Sequence, residues 1–288
     1  MSDKQTIFKA LQWASSFLKE HGRDQNAGEI LLMNQLKYTR SRLLAEFRTE
    51  LSEKDWEQFS RNVKEHAAGR PVQYIMGHEV FLGREFVVNP HVLIPRPETE
   101  ELVIAVLKKM DRLFGASKQG LRVADVGTGS GAIAVTLKLE RPGLAVYGTD
   151  ISASAIDIAK KNADRLGAAV RFAQGDLLQP LMEIGHKFHV IVSNPPYIPQ
   201  GEKECLPDVV KDYEPACALF GGEDGLDVYR RFTEQLSHVL EDRAIVAFEV
   251  GAGQGDAVSQ MMREQFSEGV TEVLYDINGK DRIVLTSL

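Results

Sequence analysis

Four residues, Asn194-Pro195-Pro196-Tyr197, combine groups able to hold and aim a planar, nitrogen-bearing group. An asparagine side chain offers one acceptor oxygen and two N–H donors. The Pro195 carbonyl follows with no N–H of its own beside it, and Tyr197 adds an aromatic face. Together they could grip a carboxamide or an amidine-like group and direct its nitrogen. The local alternative is an ordinary turn, because Asn-Pro often starts one. The run before it, Val190-Ile191-Val192-Ser193, reads as a buried strand. The two prolines must end that strand, since neither donates to a ladder and each fixes φ at about −65°. The residue before a proline is pushed to extended geometry. Asn194 is therefore expected on a stiff, extended backbone at the carboxyl edge of a sheet.

A second group of residues lies upstream. Leu121-Arg122-Val123-Ala124-Asp125-Val126 reads as a strand, Gly127-Thr128-Gly129-Ser130-Gly131 follows at once, and Ala132 opens a helix. Glycines at a strand–helix turn let backbone approach a ligand closely. The spacing is G-x-G-x-G rather than the dinucleotide G-x-G-x-x-G, and no lysine follows as a P-loop requires. The turn suits S-adenosylmethionine, whose amino-acid tail can lie against it; the plain alternative is a tight turn with no ligand. The next strand, 145–149, ends in Asp150, where nucleotide-type α/β folds hold ribose hydroxyls. Ser152 can cap the helix that follows, to about Leu166. A third strand, 170–173, leads to Asp176, placed to accept from an adenine amino group, and Leu177, placed to pack on the ring. A solvated loop acid is the alternative for Asp176. The fourth strand ends at Asn194, so the whole set falls along one sheet edge, outside the carboxyl ends of the strands, where ligands of open α/β sheets bind.

The remaining elements must position that edge. Residues 199–225 form a long polar loop, a candidate substrate lid. A helix over 226–240, a strand over 243–250 and a helix over 254–266 follow. Segments 270–275 and 282–285 close the chain as a hairpin through Asn278-Gly279. Upstream, apolar residues near helical spacing in 7–18, 29–44 and 56–67 predict a small helical domain, with Ser52 opening the third stretch and Gly69-Arg70-Pro71 stopping it. Its aromatics are expected to be core. Residues 72–94 turn β-prone and predict a linking hairpin. The expected domains are thus 1–71 (helical, docking), 72–94 (hairpin) and 95–288 (catalytic). His78 and His91 are expected in ordinary polar packing. Pro95-Arg96-Pro97 is a rigid loop that could wall a cofactor pocket, while Glu98, Glu100 and Glu101 suit a helix N-terminus.

Composition bounds the function classes. At 288 residues, 43% hydrophobic and 26% charged, the chain is ordinary for a globular protein. The first 90 residues carry 13 basic and 12 acidic side chains and the rest 21 and 29, so neither part is a basic nucleic-acid surface. Cys205 and Cys217 match no metal motif and make no disulfide framework. No metal is expected, no apolar run approaches the ~18 residues of a membrane span, and no signal peptide is evident. The expectation is a cytoplasmic monomer.

With these motifs in view, the sequence resembles the class I S-adenosylmethionine-dependent methyltransferases. More closely it resembles the protein-(glutamine) methyltransferases of the HemK/PrmC family, which modify peptide chain release factors. The resemblance rests on Arg70-Pro71-Val72-Gln73-Tyr74-Ile75, Ile94-Pro95-Arg96-Pro97-Glu98-Thr99-Glu100, Asp125 to Gly131, Asn194-Pro195-Pro196-Tyr197-Ile198, Tyr213-Glu214-Pro215 and Gly221-Gly222-Glu223-Asp224-Gly225-Leu226. It implies a Rossmann-like α/β methyltransferase domain behind a helical N-terminal domain that contacts the release factor. It implies that Gly127 to Gly131 and Asp150 bind S-adenosylmethionine, with Leu177 at the adenine. It implies that Asn194 to Tyr197 hold the glutamine of a Gly-Gly-Gln loop. Some relatives carry tryptophan where Leu177 stands. Two rivals remain at this stage. One is a DNA or RNA adenine-amine methyltransferase, which shares Asn-Pro-Pro-Tyr but for which neither charge nor a target-recognition domain speaks. The other is a silent cofactor-binding assembly factor.

Overall fold

The structure is a computed structural model that describes residues 5–115, 119–276 and 278–288. The chain divides into two units: residues 1–78 with 207–213, and residues 79–206 with 214–288.

The first unit is helical: α1 (Ile7–Glu20), α2 (Ala27–Leu36), α3 (Arg40–Ala45), α4 (Glu53–Ala67) and α5 (Val72–Met76). Side-chain caps start three of them, with Thr6, Thr39 and Ser52 each accepting a backbone N–H three residues on. The stretch 29–44, a continuous run of helical spacing in the sequence, folds as two helices. Lys37 turns to φ 54° and Thr39 restarts the helix, a break that apolar spacing does not encode. The β-prone segment at 72–76 is a helical turn instead of a strand, because Pro71 pre-sets its start and Gly77 at φ 80° ends it. Ile7, Leu18, Leu31, Leu32, Leu43, Phe59 and Val63 form the core, with Trp13 and Trp56 packed edge-to-face at 4.9 Å beside it.

The second unit opens with the hairpin β1 (His78–Phe81) and β2 (Arg84–Val87), turned by Leu82 and Gly83 at positive φ. All but its first residue belong to this unit, and Phe81 and Phe86 sit fully in its core. Then follow α6 (Pro97–Phe114), β3 (Arg122–Val126), α7 (Ala132–Glu140), β4 (Ala145–Asp150), α8 (Ala153–Leu166), β5 (Val170–Gln174), α9 (Gln179–Ile184) and β6 (Phe188–Ser193). Past the one-turn α10 (Asp208–Lys211), which groups with the helical unit, come α11 (Asp227–Leu236), β7 (Leu240–Glu249), α12 (Gly255–Gln265), β8 (Val270–Tyr275) and β9 (Asp281–Ser287).

The seven-stranded sheet has the order β5-β4-β3-β6-β7-β9-β8. Strands β3 to β7 pair in parallel and β9 runs antiparallel to both its neighbours. Apolar clusters cover the sheet on both faces, and β3 and β6 are almost wholly buried, as two-sided parallel strands must be. Strand order reverses between β3 and β6. That is the switch point at which such sheets open a crevice for ligands.

Candidate active site

The glycine turn leaves β3 at this switch point. Gly127, Gly129 and Gly131 take φ of 75°, 54° and 80°, left-handed values that favour glycine. The Gly127 and Thr128 N–H groups both donate to the Thr149 carbonyl at 2.8 Å, tying the turn to the end of β4. Asp125, fully buried beneath it, accepts from Thr128 Oγ1 at 2.6 Å and from the Ala134 N–H at 3.1 Å. Burial pushes its carboxyl up to about 7. Asn162 on α8 donates to the Ser130 carbonyl at 2.8 Å and exchanges two hydrogen bonds with Val87 of β2, so the hairpin braces the turn.

Asp150 stands at the end of β4. It accepts from the Gly129 N–H at 2.8 Å with one oxygen and from the Ser152 N–H at 2.9 Å with the other. Each oxygen takes more than one donor, so the carboxylate is oriented yet still able to accept from a ligand. Desolvation raises its pKa. Asp176 and Leu177 follow β5. Leu177 adopts φ 48°, a left-handed backbone that is unusual for leucine. Asp176 is ion-paired through Oδ2 with Arg231, a partner that sequence spacing does not reveal, so only part of its carboxylate is left for a ligand.

Asn194 to Tyr197 leave β6 beside these groups. Ser193 Oγ donates to the Val126 carbonyl at 2.5 Å and locks the two strand ends together. The following loop is clamped from three sides. Ile198 bridges to Phe220, Gln254 Nε2 donates to the Tyr197 carbonyl at 2.9 Å, and Gly221 and Gly225 pass so close that a Cβ on either would strike the Pro196 or Tyr197 carbonyl. Behind Asn194 lies a buried chain. Its Nδ2 donates to Thr99 Oγ1 at 3.0 Å, and Thr99 Oγ1 donates to Glu249 Oε2 at 2.6 Å. Glu249 ends β7 and is 1% exposed; burial lifts its carboxyl to about 7. Burial likewise raises the Tyr197 phenol to about 12.

Gly127 to Ser130 of the glycine turn, Asp150, Asp176, Leu177, Asn194 and Pro196 line one cavity of about 370 Å³, whereas Gly131, Pro195 and Tyr197 do not line it. The volume lies within the ~300–1,000 Å³ of small-molecule sites. Pro95 from the proline-bracketed loop and Pro215, Cys217 and Phe220 from the expected lid complete its walls, and His91, expected in ordinary packing, lines it too. Arg96 pairs with buried Glu214, whose Oε2 also accepts from the Ile94 N–H at 3.3 Å, so these two loops hold each other. The cavity fits the cofactor expected from the sequence. It has a backbone cradle opened by Gly127 and Gly129, a part-satisfied acid for paired hydroxyls, and apolar walls at Leu177, Ile151 and Val228. Sequence reasoning assigned no part to Thr99, Glu249, Glu214, Asn162 or Gln254. Thr99 and Glu214 stand inside motifs that carry the resemblance, and Glu249 is an acid inside the apolar run Ala244 to Val250, whereas Asn162 and Gln254 have no such signal. Among the described residues no group of three or more His, Cys, Asp or Glu side chains could hold a metal, and no helix is long and apolar enough to cross a membrane.

The family model for the PrmC N-terminal domain matches residues 9–77, and that for the methyltransferase small domain matches residues 101–211. Among solved structures, a methyltransferase from Pyrococcus furiosus is 15% identical with a TM-score of 0.50, covering 82% of this chain and 98% of that one. The 16S rRNA N2 G1207 methyltransferase of T. thermophilus is 20% identical with a TM-score of 0.51, covering 73% and 49%. These likenesses are ones of fold: a class I methyltransferase sheet with flanking helices. Closer in sequence are the release factor glutamine methyltransferases of Bacillus cereus, 52% identical over 98% of this chain and 99% of the relative, and of Bacillus subtilis, 50% identical over 97% and 96%. With identity of this order along nearly the whole length, the chain belongs to the release factor glutamine methyltransferase family.

Proposed function

We propose that this protein transfers a methyl group from S-adenosylmethionine to the side-chain amide nitrogen of the glutamine in the Gly-Gly-Gln motif of peptide chain release factors. The observation that carries the reading is the meeting of Asn194 with the glycine turn and Asp150 on one cavity at the sheet's switch point. Gly127 to Gly131, Asp150, Asp176 and Leu177 would hold the cofactor, which when bound supplies an electrophilic sulfonium methyl.

An amide nitrogen is a poor nucleophile because its lone pair is delocalised. Asn194 Oδ1 and the Pro195 carbonyl can each accept one N–H of the glutamine amide, which draws the nitrogen toward a pyramidal shape and aims its lone pair. Tyr197 packs against the amide plane. The clamps from Gln254, Gly221 and Gly225 fix the backbone that carries both acceptors. Alignment of this kind is worth ~7–11 kcal/mol in favourable cases, and oriented dipoles add to it. No side chain has to remove the amide proton beforehand; it passes to water once the nitrogen carries the methyl. The helical unit is the proposed docking part for the release factor, a reaction of the cytoplasm.

The test is incubation with labelled S-adenosylmethionine and purified release factor, intact or with the Gly-Gly-Gln glutamine replaced. Label on the intact factor alone supports the reading. Equal label on both, or none on either, overturns it.

A further inference from the structure

Asn194 can serve as an acceptor only if its amide faces one way round. Turned over, it would present N–H donors to the N–H donors of its substrate. We infer that Glu249, through Thr99, is a positioning residue that fixes the Asn194 amide with its oxygen toward the substrate. The inference rests on the proposed amide-nitrogen chemistry and goes beyond it by naming what sets the orientation.

An ionised carboxylate has no proton to give and can only accept. Thr99 Oγ1, 2.6 Å from Glu249 Oε2, must therefore spend its single hydrogen on Glu249. Toward Asn194, at 3.0 Å, Thr99 then has only lone pairs, so Asn194 must present Nδ2. The nearby Asn194 amide favours the charged form of Glu249, as a donor facing a carboxylate does. With Nδ2 committed on this side, Oδ1 is the group left to meet the substrate. Strand pairing fixes the positions: Ser193 is level with Phe248 across β6 and β7, so Asn194 and Glu249 are the next residues along each strand. Thr99 comes from the first turn of α6 and is 5% exposed.

A neutral side chain at 249 would not impose this polarity. A glutamine can donate as well as accept, and Thr99 could then donate to a reversed Asn194. The groups that face the carboxylate are Thr99 and Glu98 from α6, Asn194 and Tyr197 from the loop after β6, Tyr229 from α11, which donates to the Glu249 backbone carbonyl at 2.7 Å, and Arg282 from β9. Arg282 Nε already pairs with Asp276 at 3.1 Å, so it is no dedicated counter-ion. A buried acid without a dedicated counter-ion is costly, and the hydrogen bond it accepts from Thr99, itself backed by Asn194, is what holds it.

The test uses the full chain, labelled S-adenosylmethionine and intact release factor. Glu249→Gln should lower kcat roughly 10–100-fold, the usual loss when an outer partner that orients a ligating side chain is removed. Its affinity for S-adenosylmethionine should stay as in the parent. The parent's kcat should rise with pH as Glu249 ionises, and Glu249→Gln should lose that rise. Thr99→Val should lose a similar factor, and Thr99→Ser, which restores the hydroxyl, should recover most of it. The double variant Thr99→Val/Glu249→Gln should fall no further than the lower single, because both act through one relay. Unchanged kcat in Glu249→Gln, multiplied losses in the double variant, or no recovery with Thr99→Ser each overturns the inference. Should Glu249→Gln fail to fold, the Thr99 pair decides alone. Failure of the parent enzyme to label the glutamine would instead strike the proposed function.

Discussion

The helical unit and the strand ends of the catalytic unit solve opposite problems. Among the described residues of the helical unit, the polar residue buried as a whole is His66, satisfied by the Arg70 carbonyl at 2.8 Å, while the part-buried Gln35 donates to the Asp55 carbonyl at 2.8 Å and leaves its Oε1 buried without a partner. Its core is otherwise apolar and aromatic. The carboxyl edge of the sheet instead buries Asp125, Thr128, Ser130, Thr149, Ser193, Glu249 and, from α6, Thr99. Apolar burial stabilises without asking for direction. Buried polar groups must be paired, and each pairing fixes an orientation at a cost in stability. One region is therefore built for packing and the other for aim.

Breaking the packing side should give the largest effect. Phe59 is fully buried in the helical core, with Trp13 and Trp56 rings 6.3 Å away. Phe59→Ala should remove ~3–5 kcal/mol of stability from that unit. Both tryptophans of the chain, Trp13 and Trp56, lie there, so tryptophan fluorescence during urea unfolding follows this unit alone. Affinity for S-adenosylmethionine should hold. A parallel fall in cofactor affinity would mean that the two regions are not separable in this way.

The aiming side should fail differently. Asn194→Ala should cut turnover on release factor by about 10²–10³, the range for losing one preorganised transition-state partner, and leave the tryptophan unfolding curve in place. Near-normal turnover would remove Asn194 from the chemistry. Asp150→Ala should act on binding: loss of charged hydrogen bonds worth ~1.5–3 kcal/mol corresponds to a roughly 10–100-fold weaker Kd for S-adenosylmethionine. Calorimetric titration reads it, and an unchanged Kd would take Asp150 out of the cofactor site.

How much of this was legible in the sequence depended on what kind of constraint each residue obeys. The glycine turn, Asp150 and Asn194-Pro195 are local statements: backbone freedom, a strand end and a stiff dipeptide can be read in place. The placing of the strand ends along one sheet edge followed from strand and helix alternation, and the closing hairpin from Asn278-Gly279. The break at Lys37 and the helical turn at 72–76 did not, because caps and tertiary packing overrode the apolar spacing and the β-prone composition. Thr99 and Glu249 are 150 positions apart and meet only because α6 starts beside the ends of β6 and β7. The Arg231 that engages Asp176 is 55 positions away on α11. Leu177 at positive φ has no sequence sign at all, since its type argues against that backbone.

The pH dependence of stability should separate the two regions by the smallest margin. Asp125 has one carboxylate oxygen paired with Thr128 and Ala134 and the other, Oδ1, buried without a hydrogen-bond partner among the described residues. Burial raises its pKa from 3.8 to about 7, with the charge of Asp150 adding to the rise. The folded state thus binds this proton more tightly than the unfolded state does. The stabilisation it brings is whole below about pH 3.8 and lost as pH climbs through about 7. Asp125→Asn removes the titration but leaves a pH-independent cost of its own, an amide buried where Oδ1 had no partner. The informative quantity is therefore the change in unfolding free energy between pH 5 and pH 8, compared in parent and variant. The parent should lose ~1–3 kcal/mol more than Asp125→Asn across that interval. Glu249, also raised to about 7, contributes the same slope, yet its relay to Asn194 needs the ionised form. Stability at this edge should fall over the pH range in which turnover rises. Parallel pH slopes in parent and Asp125→Asn would mean that Asp125 keeps its ordinary acidity and that burial at the strand ends carries no such cost.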